Sequence, residues 1–336
     1  MQYQRLGRSG LKVSRIILGC MAFGSPSWEG SPWVLPASEA LPLLKAAYDH
    51  GINTWDSANT YSNGASETLI GQALREYSIP RSRVVIMTKV FYPVLEGSDE
   101  RPSPALNDGN LVNQMGLSRK HIFDAVDGSL RRLGTDYIDV LQLHRLDKET
   151  QPEEIVRALH DLVCSGKVRY LGASSMRTWE FVRLQYTARL HGWTEFVSMQ
   201  GLYNLLYREE EREMNPFCNA EGVGLIPWSP LARGILGRPV SQVSERSGSD
   251  AKTKLWFKGS KDADIVRRVE SIAQKKGVSM ASVATAWCLS KGCAPIVGLS
   301  SLKRIEQVGE AFDVVLTEKD LKELEELYEP LQIVAM

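Results

Sequence analysis

The chain has 336 residues, with 40 Lys and Arg against 40 Asp and Glu, and 43% of its residues are hydrophobic. Balanced charge without a basic stripe argues against nucleic acid or a membrane surface as partner, and the apolar fraction allows a sizeable core without disulfides or metal. The five cysteines, Cys20, Cys164, Cys218, Cys288 and Cys293, form no Cys-x-x-Cys pair and show no zinc-like histidine spacing, so reduced thiols are expected.

The opening MQYQRLGRSGLKVSRIILG lacks the apolar run of a signal peptide, and no later run approaches the ~18 residues of a membrane span, so a cytoplasmic location is expected. Residues 1–13 read as a β-hairpin turning at 7–10. A strand at 15–20 is followed by an amphipathic helix at 38–50 that stops at Gly51, then by a strand at 52–58 and a helix at 66–77. Next come a strand at 84–90 and a helix at 118–133, opened by the Ser118 cap and closed by Gly134. A strand at 138–144 leads through Pro152 into a helix at 153–164, ended by Gly166. Strands at 170–174, 196–200, 224–230 and 295–298 follow, interleaved with helices at 179–190, 262–276, 279–291 and 302–311. Thr317 with Asp320 forms a capping-box-like start for a last helix.

Eight strands alternating with helices predict an α/β fold, a (β/α)8 TIM barrel spanning residues 1–336 as a single domain. The N-terminal hairpin would cover one mouth of the barrel, and the C-terminal helix would be extra, packed outside it. Two irregular stretches, 92–116 and 233–260, are rich in Gly, Ser, Pro and charge, a pattern of functional lids or of disordered segments.

A barrel of this kind carries its chemistry at the C-terminal ends of the strands. Four polar residues converge there: Asp56 ends the second strand, Tyr61 lies on the loop beyond it, Lys89 ends the third and His144 the fourth. Taken singly, Asp56 reads equally well as a turn residue, Tyr61 as a surface aromatic and His144 as a hydrogen-bonded core histidine. Lys89 is harder to dismiss, because a cation at a core position needs a counter-charge, which Asp56 on the neighbouring strand would supply. Together the four describe a general acid. Tyrosine titrates near ~10, a neighbouring ammonium stabilises its phenolate, and a histidine can orient a carbonyl toward the phenol. Such a site needs a hydride donor, and no Gly-x-Gly-x-x-Gly follows any strand.

Through D-S-A-x-x-Y-S-N-G, x-T-K, L-H-R, Q-x-x-Y-N, P-W-S-P-L-A-R-G and G-L-S-S, spread over nearly its whole length, the chain resembles the aldo-keto reductase superfamily. Within it the resemblance is to the fungal and bacterial branch of aryl-alcohol and versiconal-type reductases. It implies a catalytic tetrad of Asp56, Tyr61, Lys89 and His144, and NADPH (NADP+) as cofactor. By the same resemblance Ser174, Ser175 and Gln200 would meet the nicotinamide carboxamide, and Trp228 would lie under the ring. Ser229, Leu231, Arg233 and Gly234 would wrap the pyrophosphate. Gly298, Ser300, Arg304 and Gln307 would hold the adenosine end, with Arg304 on the 2′-phosphate, where strand eight runs into a helix N-terminus. Many members have Asn where this chain has Ser175, and another Asn where it has Val308.

The implied activity is reduction of an aldehyde or ketone to an alcohol, within secondary metabolism. Met21, the 28–33 segment with Trp33, Phe91, Tyr92 and Arg145 would form the substrate mouth, whose aromatics suit a bulky, aromatic small-molecule carbonyl substrate. The alternative is an NADPH-binding redox-sensing protein of the channel β-subunit type with little turnover. A Schiff-base aldolase with Lys89 as nucleophile would require a depressed lysine pKa, which Asp56 opposes. Oligomeric state is not legible in the residues.

Overall fold

The computed structural model describes residues 1–101, 108–242, 257 and 259–334. Parts of both irregular stretches, residues 102–107, 243–256 and 258, lie outside the described residues.

The hairpin consists of β1 (Tyr3–Arg5) and β2 (Lys12–Ser14), paired antiparallel. Eight parallel strands follow: β3 (Ile17–Gly19), β4 (Thr54–Asp56), β5 (Val85–Val90), β6 (Ile138–Leu143), β7 (Val168–Ser174), β8 (Phe196–Gln200), β9 (Gly224–Leu225) and β10 (Ile296–Val297). Their order is β10-β3-β4-β5-β6-β7-β8-β9. The two ends of that sheet meet where Ala294 N donates to Leu225 O and Ile296 N to Pro227 O, each at 2.9 Å. The fold is a (β/α)8 barrel.

Around it lie α1 (Ala37–Asp49), α2 (Ala65–Glu76), α3 (Arg119–Leu133), α4 (Pro152–Cys164), α5 (Thr178–Leu190), α6 (Met214–Glu221), α7 (Asp262–Lys276), α8 (Met280–Ser290) and α9 (Leu302–Gln307). The extra helix α10 (Glu318–Glu325) opens on a capping box between Thr317 and Asp320 and ties to α7 through Lys276–Asp320 at 2.8 Å. The Ser118 cap and the Gly134 stop act as read, Ser118 accepting the backbone N–H of His121 and Gly134 adopting φ 62° at the end of α3, and Ser301 caps α9 in the same way.

Three differences from the sequence reading have local causes. The expected strand at 224–230 is a continuous strand only over Gly224–Leu225; beyond it Ile226 N and Trp228 N still donate to Met199 O and Gly201 O, but Pro227 has no N–H to donate and the ladder is reduced to isolated bridges at Trp228. The expected helix at 302–311 is α-helical to Gln307 and then tightens into a 3-10 turn. Helix α6 was not foreseen; it has eight residues with a proline in its first turn, ends on left-handed Gly222, and buries only Met214 and Cys218.

The barrel strands are buried on both faces, as parallel strands covered by helices must be. Side chains alternate in and out with period two, so one set of positions fills the lumen. At the bottom this set is apolar: Ile17, Val85, Met87, Val140, Ile226 and Ile296 pack with Leu6 and Val13 of the hairpin region. Gly7 at φ 58° makes that plug possible, since a Cβ there would lie 2.4 Å from Gly222 O. Two residues further along β5 and β6, the same inward positions become Lys89, Gln142 and then His144. The lumen therefore changes from apolar to polar at the height of the strand C-termini.

Candidate active site

The polar top layer is one hydrogen-bonded unit. Lys89 Nζ donates to Asp56 Oδ2 at 2.6 Å, to Ser57 O at 2.8 Å and to Tyr61 Oη at 3.3 Å. Asp56 Oδ1 accepts from Gln142 Nε2 at 2.8 Å and from Gln200 Nε2 at 2.9 Å, and Gln200 Nε2 also reaches Gln142 Oε1 at 2.8 Å. Gly172 leaves the room this takes, because a Cβ there would sit 2.9 Å from Gln142 Cγ and 2.6 Å from Ser198 Oγ.

A buried ammonium is tolerable here because its charge is met on several sides. Burial works to lower the Lys89 pKa, but the charges of Asp56 and Tyr61 and their hydrogen bonds outweigh it, leaving the ammonium above its usual range. Lys89 is therefore a cation and a poor amine nucleophile, which counts against the Schiff-base alternative.

Tyr61 corrects the simpler expectation that Lys89 leaves it a stronger acid. Burial, the largest influence, pushes the phenol up; Lys89 pulls it down by charge and hydrogen bond, Asp56 pushes it up, and Arg145 pulls it down. The net direction is upward from 10. Tyr61 thus stands protonated at neutral pH, next to a cation that favours its phenolate once the proton leaves.

The loop carrying Tyr61 is held in an uncommon conformation. Ser62 and Asn63 take left-handed φ values of 46° and 48°. Asn63 Nδ2 donates to the carbonyls of Ser98 and Glu100, both at 2.8 Å, and Ser62 Oγ accepts from Ser25 N at 3.2 Å. His144 stands between two tyrosines, its ring centroid 5.9 Å from Tyr61 and 5.3 Å from Tyr92, edge-on to both.

Asp56, Tyr61 and His144 face a cavity of about 1130 Å³, and Lys89 lies behind them. The same cavity is lined by Ser174, Gln200, Trp228, Ser229, Leu231, Arg233 and Gly234, and at its far end by Gly298, Ser300, Arg304 and Gln307. Met21, Trp33, Tyr92 and Arg145 line its other arm. Phe91 and Ser175 do not face it. Phe91 packs edge-on against Tyr92 at 5.0 Å, and Ser175, at φ 51°, accepts from Trp228 Nε1 at 3.1 Å and so fixes that indole.

Several contributors went unread. Gln142 was visible only as a polar residue in the inward register of a strand. Asn204, inside the Q-x-x-Y-N motif, donates to Ser229 O at 3.0 Å and accepts from Leu206 N at 2.9 Å, which anchors the 229–234 turn. In that turn Ser229, Ala232, Arg233 and Gly234 all have positive φ. Arg238 lines the cavity beside Arg304 and is lowered from its usual range, first by burial and then by the like charge of Arg304. The helix N-terminus expected to attract an anion belongs to α9, whose six residues make a small dipole. Two guanidinium groups, Arg238 and Arg304, add positive charge at this end of the cavity.

Residues 15–329 match the model of the aldo/keto reductase family. The chain belongs to the aldo/keto reductase family. It is accordingly an oxidoreductase built on a barrel, and its relatives are similar end to end. A versiconal hemiacetal acetate reductase of Aspergillus parasiticus is 53% identical, the match covering 99% of this chain and 98% of that protein. A Schizosaccharomyces pombe protein named provisionally as an aryl-alcohol dehydrogenase is 52% identical, over 98% and 97%. The aldo-keto reductase AMT2 of Alternaria alternata is 50% identical, over 97% and 91%. Among the described residues, no helix is long and apolar enough to cross a membrane and no cluster of three His, Cys, Asp or Glu could hold a metal ion.

Proposed function

We propose that the chain reduces an aldehyde or ketone to the alcohol with NADPH, and that Tyr61 supplies the proton. The observation that carries this reading is the chain of contacts from Asp56 through Lys89 to the Tyr61 hydroxyl, opening on a cavity large enough for a dinucleotide and a substrate together.

The residues present fit the cofactor. Trp228 offers a ring face fixed by Ser175, Ser174 and Gln200 bring polar groups beside it, and the turn at 229–234 presents backbone. Arg238 and Arg304 repel one another, an arrangement that suits a phosphate group between them and favours the phosphorylated cofactor NADPH over NADH. When bound, the nicotinamide supplies hydride to the carbonyl carbon.

Tyr61 holds its proton at neutral pH and releases it to the developing alkoxide oxygen. Lys89 stabilises the phenolate left behind, because its ammonium is already charged and within hydrogen-bond reach. Asp56 keeps that ammonium in place, and the two glutamine amides keep Asp56 in place. His144, steered by Tyr61 and Tyr92, donates to or orients the carbonyl oxygen.

Aldehydes and ketones of graded size, assayed with NADPH and with NADH, test the reading. Multiple turnovers with a preference for NADPH are expected. Stoichiometric oxidation of bound cofactor without turnover would instead support the redox-sensing alternative.

A further inference from the structure

Among the described residues, the arginines that line the cavity outnumber the carboxylates. Arg101, Arg145, Arg233, Arg238 and Arg304 line it, against Asp56, which is committed to Lys89, and Glu39, exposed on α1. Arg233, Arg238 and Arg304 lie on the arm assigned above to cofactor phosphates. Arg101 is built into the wall: it stacks 4.1 Å over Trp28 and donates to Glu29 O at 2.5 Å and to Ser31 Oγ.

Arg145 differs from all of these. It follows His144 directly, faces the cavity on the Tyr61 side, and is half-buried. Its single hydrogen bond among the described residues runs from a terminal guanidinium nitrogen to His144 O at 2.5 Å. Its Nε is buried with no hydrogen-bond partner, and among the described residues no carboxylate lies within ion-pair distance. The next acidic side chain, Asp147, is saturated by Leu117 N, Glu149 N and Thr150 Oγ1. A partly desolvated cation with donors left over, whose charge reaches Tyr61 and which lines the same cavity as Trp33 and Tyr92, is a site for an anion on a flat molecule.

We infer that Arg145 selects carbonyl substrates that carry a carboxylate on an aromatic frame, binding the carboxylate while Tyr61 meets the carbonyl. The inference rests on the carbonyl-reductase reading and narrows it to a substrate class. No bond changes at Arg145, which acts by charge-assisted hydrogen bonding. It determines specificity and neither gives nor takes the proton, although its charge helps to hold the Tyr61 pKa down.

The test compares para- and meta-formylbenzoate with their methyl esters, in the wild type, Arg145→Met and Arg145→Lys, using the full chain with NADPH. The readout is the acid-to-ester ratio of kcat/KM rather than either rate alone. In the wild type at least one isomer should favour the acid by about tenfold or more, the range expected of one hydrogen bond to a charged group. Arg145→Met should bring that ratio to about one, mainly through KM of the acid, and Arg145→Lys should keep part of it. A wild-type ratio near one for both isomers, or a ratio that survives in Arg145→Met, would overturn the inference. A parallel measurement follows quenching of tryptophan fluorescence by benzoate and by benzamide in the NADP+ complex. Benzoate binding should weaken about tenfold in Arg145→Met and benzamide binding much less; equal weakening would overturn the inference. If no aldehyde is turned over, the reductase reading fails, and the benzoate comparison still decides the role of Arg145.

Discussion

Lys89 Nζ lies 2.6 Å from Asp56 Oδ2, and neither side chain is more than 4% exposed. Removing one member of such a pair strands the other charge in a site largely shielded from bulk water. Asp56→Ala should therefore destabilise the fold by about 3–5 kcal/mol, and Asp56→Ala combined with Lys89→Met by less than the two single changes together. Urea denaturation of the four proteins measures this. Additive losses would show that the pair contributes only packing.

The upward direction of the Tyr61 pKa sets the pH dependence of reduction. On the proposed mechanism the step consumes the phenol proton, so activity should persist while Tyr61 is protonated and decline as pH rises through its pKa, above the ordinary tyrosine value. Because Lys89 pulls that pKa down, Lys89→Met should move the alkaline limb further up and lower kcat, by about 100-fold or more if the phenolate is deprived of the cation bonded to it. Profiles of kcat against pH for both proteins check this. A limb in the neutral range assigned to the phenol would contradict it.

Glu210 packs beside Gly201, the residue after Gln200. Burial first, and the charge of Glu209 second, raise it from 4.5 to about 7. A carboxyl whose pKa is higher in the folded state binds more protons there than when unfolded. Its effect on stability is harmless below the unfolded value and grows unfavourable as pH rises through about 4.5 to about 7. Glu210→Gln should then raise stability near pH ~8 by up to about 3 kcal/mol and change little near pH ~4. Denaturation at both pH values reads the difference, and a larger gain at the acidic value would contradict the assignment.

On the proposed reading, Arg304 and Arg238 flank the one phosphate that distinguishes NADPH from NADH. Arg304→Ala should raise KM for NADPH by about 10- to 100-fold and leave NADH little changed, because the guanidinium it removes meets the phosphate that NADH lacks. Arg238→Ala should show the same selectivity for NADPH to a smaller degree. Fluorescence titration of each cofactor separates binding from turnover, and equal weakening of both cofactors in Arg304→Ala would remove the basis for a preference.

Strand number, the hairpin and the C-terminal helix were legible because β-branched runs, capping serines and closing glycines are local signals. The 224–230 strand is shorter than its apolar pattern suggests because Pro227 interrupts the ladder, a local signal that the hydrophobic pattern alone does not weigh. Helix α6 escaped because eight residues with two buried side chains leave little periodicity. At the site, residues at strand ends such as Asp56 and Lys89 were visible from position, whereas Gln142 and Asn204 act through partners far away in sequence. The depth at which Tyr61 is buried is equally non-local. Sequence spacing showed the cation that stabilises its phenolate, and only packing showed the desolvation that opposes it.

Tyr61 as the proton donor for carbonyl reduction is the claim on which the rest depends. Tyr61→Phe keeps the ring and removes the hydroxyl, so NADPH oxidation with an aromatic aldehyde and NADPH binding by fluorescence should be measured together in this variant and in the wild type. Unchanged cofactor affinity is predicted, with turnover reduced by about 100-fold or more. Turnover close to that of the wild type in a variant that binds NADPH normally would contradict it.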